Sequence, residues 1–308
     1  MDPEVSLLLH CAHWKGLRKC QVQVELSERY NRQTDPALEE HIEKLWKERL
    51  AKEPWIFNGA KFRLRLKIHT TKTTKKIATA LASKESRWQE ECVLTLRLGL
   101  TNYKDYLGTN WSGQAEELCR RGEVEFDDAL SLLAQPLGVG AILCTVDEQI
   151  VFIRRSQRVA EAGGLLDIPG GHPEPKVICE EKISLVMLGP VAVVTELFSS
   201  VCAEIRDEIN IPLNFLGEPL LIGIALNHTS AGRPSAEFYI SCSLTSDQVK
   251  RLYLKGGAEA NESTDIIFVS KKTVLQLDQT SNLWPELCPS AKGAVLLYQT
   301  VKPDTNGD

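Results

Sequence analysis

The sequence predicts a chain of α/β (α+β) class in two parts, divided near residue 135. Three observations lead there. At 308 residues the chain exceeds one typical domain and fits two, and with 43% hydrophobic residues it can bury a real core. The pattern changes at Gln135-Pro136. From there onward apolar strand-like runs alternate with one strong helix, whereas the first part mixes a helix with alternating segments.

Each element follows from local chemistry. Asp35-Pro36 opens a helix, with Asp35 as cap and Pro36 in the first helical position. Leu38, Ile42, Leu45, Trp46 and Leu50 then recur at helical spacing until Glu53-Pro54 stops the run. Lys61 to Ile68 alternates strictly and predicts a strand with Phe62, Leu64, Leu66 and Ile68 on one face. Thr70 to Lys76 reads as a loop and Val93 to Leu100 as another strand. Leu137 to Val146 and Gln149 to Arg154 predict strand–turn–strand through Asp147-Glu148. Leu165 to Ile168 predicts a strand ending in Pro169-Gly170-Gly171, and Val191 to Ile209 a helix with few breakers. Thr229 to Ser235 reads as a polar hairpin tip, Ile266 to Val269 as a strand, and Pro303 to Asp308 as a disordered tail.

Charge and cysteine usage exclude several classes. The net charge is -5 and the pI about 5.8, which argues against a duplex nucleic-acid binder. The one basic stripe, Lys61, Arg63, Arg65, Lys67, Lys72, Lys75 and Lys76, reads as a solvated strand face and a lysine-rich loop. Nine cysteines without a Cys-x-x-Cys pair suggest reduced thiols, and Cys11 between His10 and His13 reads as structural rather than metal-binding. With Asp2 and Glu4 at the start there is no signal-peptide pattern, and no apolar run reaches the roughly 18 residues of a membrane span. An intracellular protein of the cytoplasm or nucleus, with no membrane partner, is expected.

The chemistry concentrates in two segments. Glu204 and Glu208 lie four residues apart, so they share one helix face, with Asp207 adjacent. Like charges at that spacing repel and weaken a helix by a few tenths of a kcal/mol per pair, which a divalent cation between them would offset. The turn Pro169-Gly170-Gly171 lets main-chain groups approach a ligand without a Cβ in the way. Carboxylates facing such a turn suit magnesium, which keeps several waters and bridges carboxylates to substrate phosphates. Taken alone, the acids also read as an ordinary solvated face.

Gly170-Gly171-x-x-Glu174, then Glu204-x-x-Asp207-Glu208 before Asn210-Ile211, resemble the Nudix hydrolase signature. The resemblance implies that Glu204 and Glu208 are the principal metal ligands, that Asp207 assists, and that the Gly170 carbonyl adds a ligand. It also implies an α/β/α sandwich with a mixed sheet over 136–302, after a smaller α+β domain over 1–135. Three departures stand out: Ala203 in place of an arginine, Asn210 in place of a glycine, and an insertion at about Pro175 to Pro190. Asn is the next-best residue for a left-handed helix cap, and Pro212 follows.

Further segments resemble the Nudix enzymes that split UDP-glucose and UDP-galactose, almost end to end. They include Leu98-Gly99-Leu100-Thr101, Leu107-Gly108-Thr109-Asn110-Trp111, Glu196-Leu197-Phe198-Ser199-Ser200 and Glu286-Leu287-Cys288-Pro289. The resemblance implies hydrolysis of a UDP-sugar to UMP and sugar 1-phosphate, with Mg2+ as cofactor and Mn2+ able to substitute. Glu262 is the candidate general base, and Gly171, Arg233 and Tyr103 are candidate substrate contacts. The partner expected is a small nucleotide sugar, not a nucleic acid, bound by a monomer or weak homodimer. ADP-ribose or another nucleoside diphosphate derivative is the alternative substrate, and a non-catalytic nucleotide-binding module the alternative class.

Overall fold

The structure is a computed structural model and describes residues 2–70, 93–157, 161–178, 188–259 and 261–304. The expected loop beyond Thr70, Cys92, Cys179 and most of the insertion lie outside the described residues. Along the chain run β1 (Val5–His10), β2 (Val22–Leu26), α1 (Pro36–Lys52), β3 (Ala60–Thr70), β4 (Leu94–Asn102), α2 (Tyr103–Gly108) and α3 (Ala115–Phe126). Then follow β5 (Gly138–Cys144), β6 (Gln149–Arg155), β7 (Leu166–Asp167), β8 (Gly170–Gly171), α4 (Pro175–Ile178) and α5 (Pro190–Ile209). The chain continues through β9 (Leu220–Asn227), β10 (Arg233–Ser241), α6 (Ser246–Tyr253), β11 (Ser263–Ser270), α7 (Lys271–Val274) and α8 (Pro289–Val301).

Two sheets organise these elements. The larger runs β1-β9-β10-β5-β6-β11, with β8 attached to β5 and β7 to β6; the smaller runs β2-β4-β3. The larger sheet is mixed: β10 is parallel to β5, pairing Ser235 with Gly138 and Glu237 with Gly140, while its other pairings are antiparallel. Helix α5 covers one face through Val193, Leu197, Val201, Ile205 and Ile209, packed in one core with Val139, Ala141 and Val151. Helix α8 covers the other through Leu297 and Tyr298, clustered with Ile142, Phe152 and Ile168. This is an α/β/α sandwich.

Local signals place the ends of the helices. Asp35 Oδ1 accepts the Leu38 N–H at 2.9 Å and caps α1, with Pro36 following it as expected. Asn210 takes the left-handed conformation at φ 65° and closes α5, its N–H returning to the Arg206 carbonyl.

Three features go beyond the sequence pattern. First, residue 135 does not divide the sheets. β1 is an edge strand of the larger sheet, paired with β9 from Val5↔Asn227 to His10↔Gly223. The core around α5 also includes Val22, Val24, Phe62, Leu64, Leu96 and Leu98 of the smaller sheet, so one apolar interior spans both parts. Second, Arg63 is not solvated: it is 2% exposed, and its guanidinium donates to the carbonyls of Leu133 (3.0 Å), Tyr30 (2.7 Å) and Leu130 (2.7 Å). The segment 130–135 covers that face of β3 and needs a donor for its main chain. Third, the tail is anchored at its start. Asp304 accepts from the Tyr298 hydroxyl at 3.0 Å and pairs with Lys271 at 2.7 Å; residues 305–308 lie outside the described residues.

The predicted β5–β6 hairpin also opens. The two strands meet only at Cys144↔Ile150. Beyond that point β8 pairs with β5 (Val139↔Gly171, Gly140↔Gly170) and β7 with β6 (Ile153↔Asp167, Arg154↔Leu166). The main-chain groups that the splayed strands would leave unpaired are satisfied by the inserted turn. Pro169 contributes its carbonyl to the Ala141 N–H at 2.9 Å. The double glycine is thereby wedged into the sheet, facing the end of α5.

Candidate active site

Glu204 and Glu208 project from α5 toward this wedge. The Gly170 N–H donates to Glu208 Oε2 at 3.0 Å. At Gly171 an added Cβ would collide with the Glu204 carboxylate, and at Gly170 it would strike the Val139 carbonyl. Glycine is required here by space. Glu208 is 4% exposed. Burial, followed by the charge of Glu204, drives its carboxyl well above the usual range, against the Gly170 hydrogen bond. Burial and the charges of Glu259 and Glu262 push Glu204 up to about 7, the His172 N–H opposing them. Among the described residues no lysine or arginine pairs with either acid.

Two acids, Glu208 buried and Glu204 half-buried, that repel each other and have no ion-pair partner among the described residues fit a divalent cation. Among the described residues no group of three or more His, Cys, Asp and Glu side chains forms a ready-made cage. Magnesium does not need one, since it completes its shell with waters and substrate phosphates.

Beside the turn opens a cavity of about 1100 Å³, slightly above the usual range for small-ligand pockets of roughly 300–1000 Å³. The larger sheet supplies Gly170, Gly171, Arg233 and Glu237 to its lining, and the part of the chain before residue 135 supplies Trp55, Tyr103 and Trp111.

Sequence comparison decides what this arrangement belongs to. The chain is 51% identical over 303 residues to the uridine diphosphate glucose pyrophosphatase NUDT22 of Bos taurus, covering 98% of this chain and 99% of that protein. It is 50% identical over 308 residues to the Homo sapiens protein of the same name, covering 100% and 96%. To Nudix hydrolase 9 of Arabidopsis thaliana it is 34% identical over 312 residues, covering 97% and 92%. The chain belongs to the Nudix hydrolase family. No family model matches it. Among solved structures, the NUDIX domain of Shewanella oneidensis NrtR complexed with ADP ribose is 16% identical, with 57% of this chain and 94% of that one covered and a TM-score of 0.33.

Within this Nudix chain the residues singled out from sequence divide into three groups. Glu204, Glu208, Gly170 and Gly171 meet at the wedge, and the charge of Glu262 acts on both acids while the residue lines the cavity. Arg233 and Tyr103 line the same cavity. Arg233 is engaged already: Nη2 pairs with Glu161 at 3.1 Å, and Nη1 lies 3.4 Å from His172 Nε2. Tyr103 forms part of an aromatic wall, with ring centroids 6.5 Å from Tyr106 and 6.3 Å from Trp46. Asp207 stands apart, because both its carboxylate oxygens are taken by neighbouring Arg206 at 2.7 and 2.8 Å. Its charge still acts on Glu204.

Other side chains become visible only in the fold. Glu196 is buried and accepts the Glu174 N–H at 3.1 Å, pinning the loop after the glycines. Lys61, from the smaller sheet, reaches Glu174 at 3.3 Å. Burial, with Lys61 and Arg233 beside it, pushes His172 well below its usual value and keeps its ring neutral. Glu259 joins the acidic group because Gly257 and Glu259 meet the end of α5, the Glu259 N–H donating to the Asp207 carbonyl at 2.9 Å. Glu237 is fully buried on β10, and among the described residues neither carboxyl oxygen has a hydrogen-bond partner within normal geometry. The alternation Arg233-x-Ser235-x-Glu237 was the one available hint, since it places three polar residues on a single strand face.

Proposed function

We propose that this chain is a magnesium-dependent Nudix diphosphatase that splits UDP-glucose or UDP-galactose into UMP and the sugar 1-phosphate. Manganese substitutes in this reading. One observation carries it: buried Glu208 and half-buried Glu204, without an ion-pair partner among the described residues, face a double-glycine turn at the edge of a large cavity. The substrate class follows from relatives named uridine diphosphate glucose pyrophosphatase, about half identical along nearly the whole chain.

Glu204, Glu208 and the Gly170 carbonyl hold the metal, with Asp207 adding negative charge from outside the ligand set. When bound, magnesium supplies neutralisation of phosphate oxygens and a more acidic water. Gly171 lets the diphosphate approach the main chain closely, as a side chain there would not. Glu262, exposed at the cavity wall, takes the proton of the attacking water. Arg233 binds a phosphate oxygen, and Tyr103 packs against the nucleoside. The chain works on a small molecule as a monomer or weak homodimer, without a nucleic-acid or membrane partner. Among the described residues no helix is long and apolar enough to cross a membrane.

The test is release of UMP and glucose 1-phosphate from UDP-glucose, followed through a coupled phosphatase with magnesium, manganese or chelator. Metal-dependent release is expected. A folded protein that releases neither product with either metal refutes the reading.

A further inference from the structure

We propose that Arg155 is a second phosphate-binding residue, which takes a diphosphate oxygen in the cavity beside the glycine turn. This rests on the reading of the site as a diphosphatase, but not on the nucleoside or the sugar. Arg155 ends β6 and lines the cavity together with Gly170, Gly171 and Glu262. Its side chain is 23% exposed, so it meets the cavity without being free in solvent.

Its guanidinium is aimed by two contacts. Nη1 donates to Asp167 Oδ2 at 2.9 Å, and Nε donates to the Glu161 carbonyl at 3.0 Å. Among the described residues neither contact uses Nη2, which leaves a donor for a ligand. Asp167 is itself fixed, because it belongs to β7 and its Oδ1 accepts the Ile168 N–H at 2.9 Å. Glu208 lies close enough for its charge to act on Arg155. A planar guanidinium is thus anchored on one side of a diphosphate site whose other side is acidic. Such a fork recognises phosphate by direction as well as charge.

Arg233 does not make Arg155 redundant. It is paired with Glu161 and touches His172, and it enters from β10 rather than β6. A diphosphate carries two phosphoryl groups, and two arginines from different strands, both held by Glu161, offer a donor to each.

The experiment uses the full chain with magnesium and inorganic pyrophosphate as probe, read by calorimetry, beside UDP-glucose kinetics. Arg155→Gln is expected to weaken pyrophosphate binding at least tenfold and raise KM for UDP-glucose at least tenfold. Arg155→Lys should recover part of both, since it restores charge without the fork. Because Arg155→Gln leaves Asp167 without its partner, the double variant Arg155→Gln with Asp167→Asn provides a neutral pair; it should fold and show the same binding loss. Unchanged pyrophosphate binding and KM in folded Arg155→Gln overturns the proposal. If wild type does not hydrolyse UDP-glucose yet binds pyrophosphate through Arg155, the substrate reading fails and this one stands.

Discussion

The Gly170 N–H and Glu208 Oε2 are hydrogen-bonded at 3.0 Å, so the double-glycine turn and the acidic helix are fixed to each other. The carboxylate is oriented by main chain rather than by a side chain. That suits a site whose signature lacks the usual arginine, with Ala203 in its place.

Glu208→Gln keeps the shape and removes the charge. Loss of a metal ligand should cost several kcal/mol of transition-state stabilisation, hence at least about a hundredfold in turnover. Thermal stability should not fall, because a buried acid facing another acid is being neutralised. Steady-state kinetics with magnesium and a melting curve check both halves; near-normal turnover in a folded variant rejects the assignment.

Gly171→Ala tests the close approach. The new Cβ meets the Glu204 carboxylate, so the acid or the turn must move. Overpacking of this kind costs roughly 1–3 kcal/mol. Activity should drop at least tenfold, and a crystal structure of the variant should show Glu204 displaced from the turn. Wild-type activity would mean that the Glu204–Gly171 contact is not needed.

Glu237→Leu should reveal a pH signature. Burial pushes the Glu237 carboxyl up to about 8 from an unfolded value near 4.5, with Asp167 adding to the rise and Ser235 and Arg233 opposing it. Below pH 4.5 both folded and unfolded states carry the proton, and no penalty exists. As pH rises toward 8 the unfolded state releases the proton first, so folding becomes progressively less favourable, and above 8 the penalty is constant. Tm of the leucine variant relative to wild type should therefore climb between pH 5 and 8. A pH-independent difference would show that the acid is not held protonated.

Arg63→Leu is expected to be destabilising by roughly 3 kcal/mol, since three buried carbonyls lose their donor. Chemical denaturation should report the loss as a lower midpoint. A midpoint within error of wild type would show that these carbonyls find other partners.

Much of the frame was legible because its signals are local. The Asp35 cap, Pro36 and the Asn210 cap each act within one turn of helix, and the i,i+4 spacing of Glu204 and Glu208 fixes their shared face wherever the helix lies. What was not legible depends on distant pairing. β1 joins the larger sheet through residues more than 200 positions away, from Val5↔Asn227 onward. Arg63 alternates with apolar neighbours like any solvated strand residue, and only the covering segment 130–135 makes it a core donor. Arg155 lies one residue past the predicted strand Gln149 to Arg154, and Asp167 and the Glu161 carbonyl, which aim it, come from the segment after that strand. The pairing of Asp207 with Arg206 beside it depends on side-chain conformation, which spacing along the helix does not determine.

The apolar interior shared by the two sheets has a practical corollary. Excising residues 136–302 as a minimal enzyme would strip α5 of Val22, Val24, Phe62 and Leu64, and would remove the edge strand β1. The helix that presents Glu204 and Glu208 would then lie against water along one flank. Residues 1–135 thus share an apolar core with the part that bears the signature and add Trp55, Tyr103 and Trp111 to its cavity.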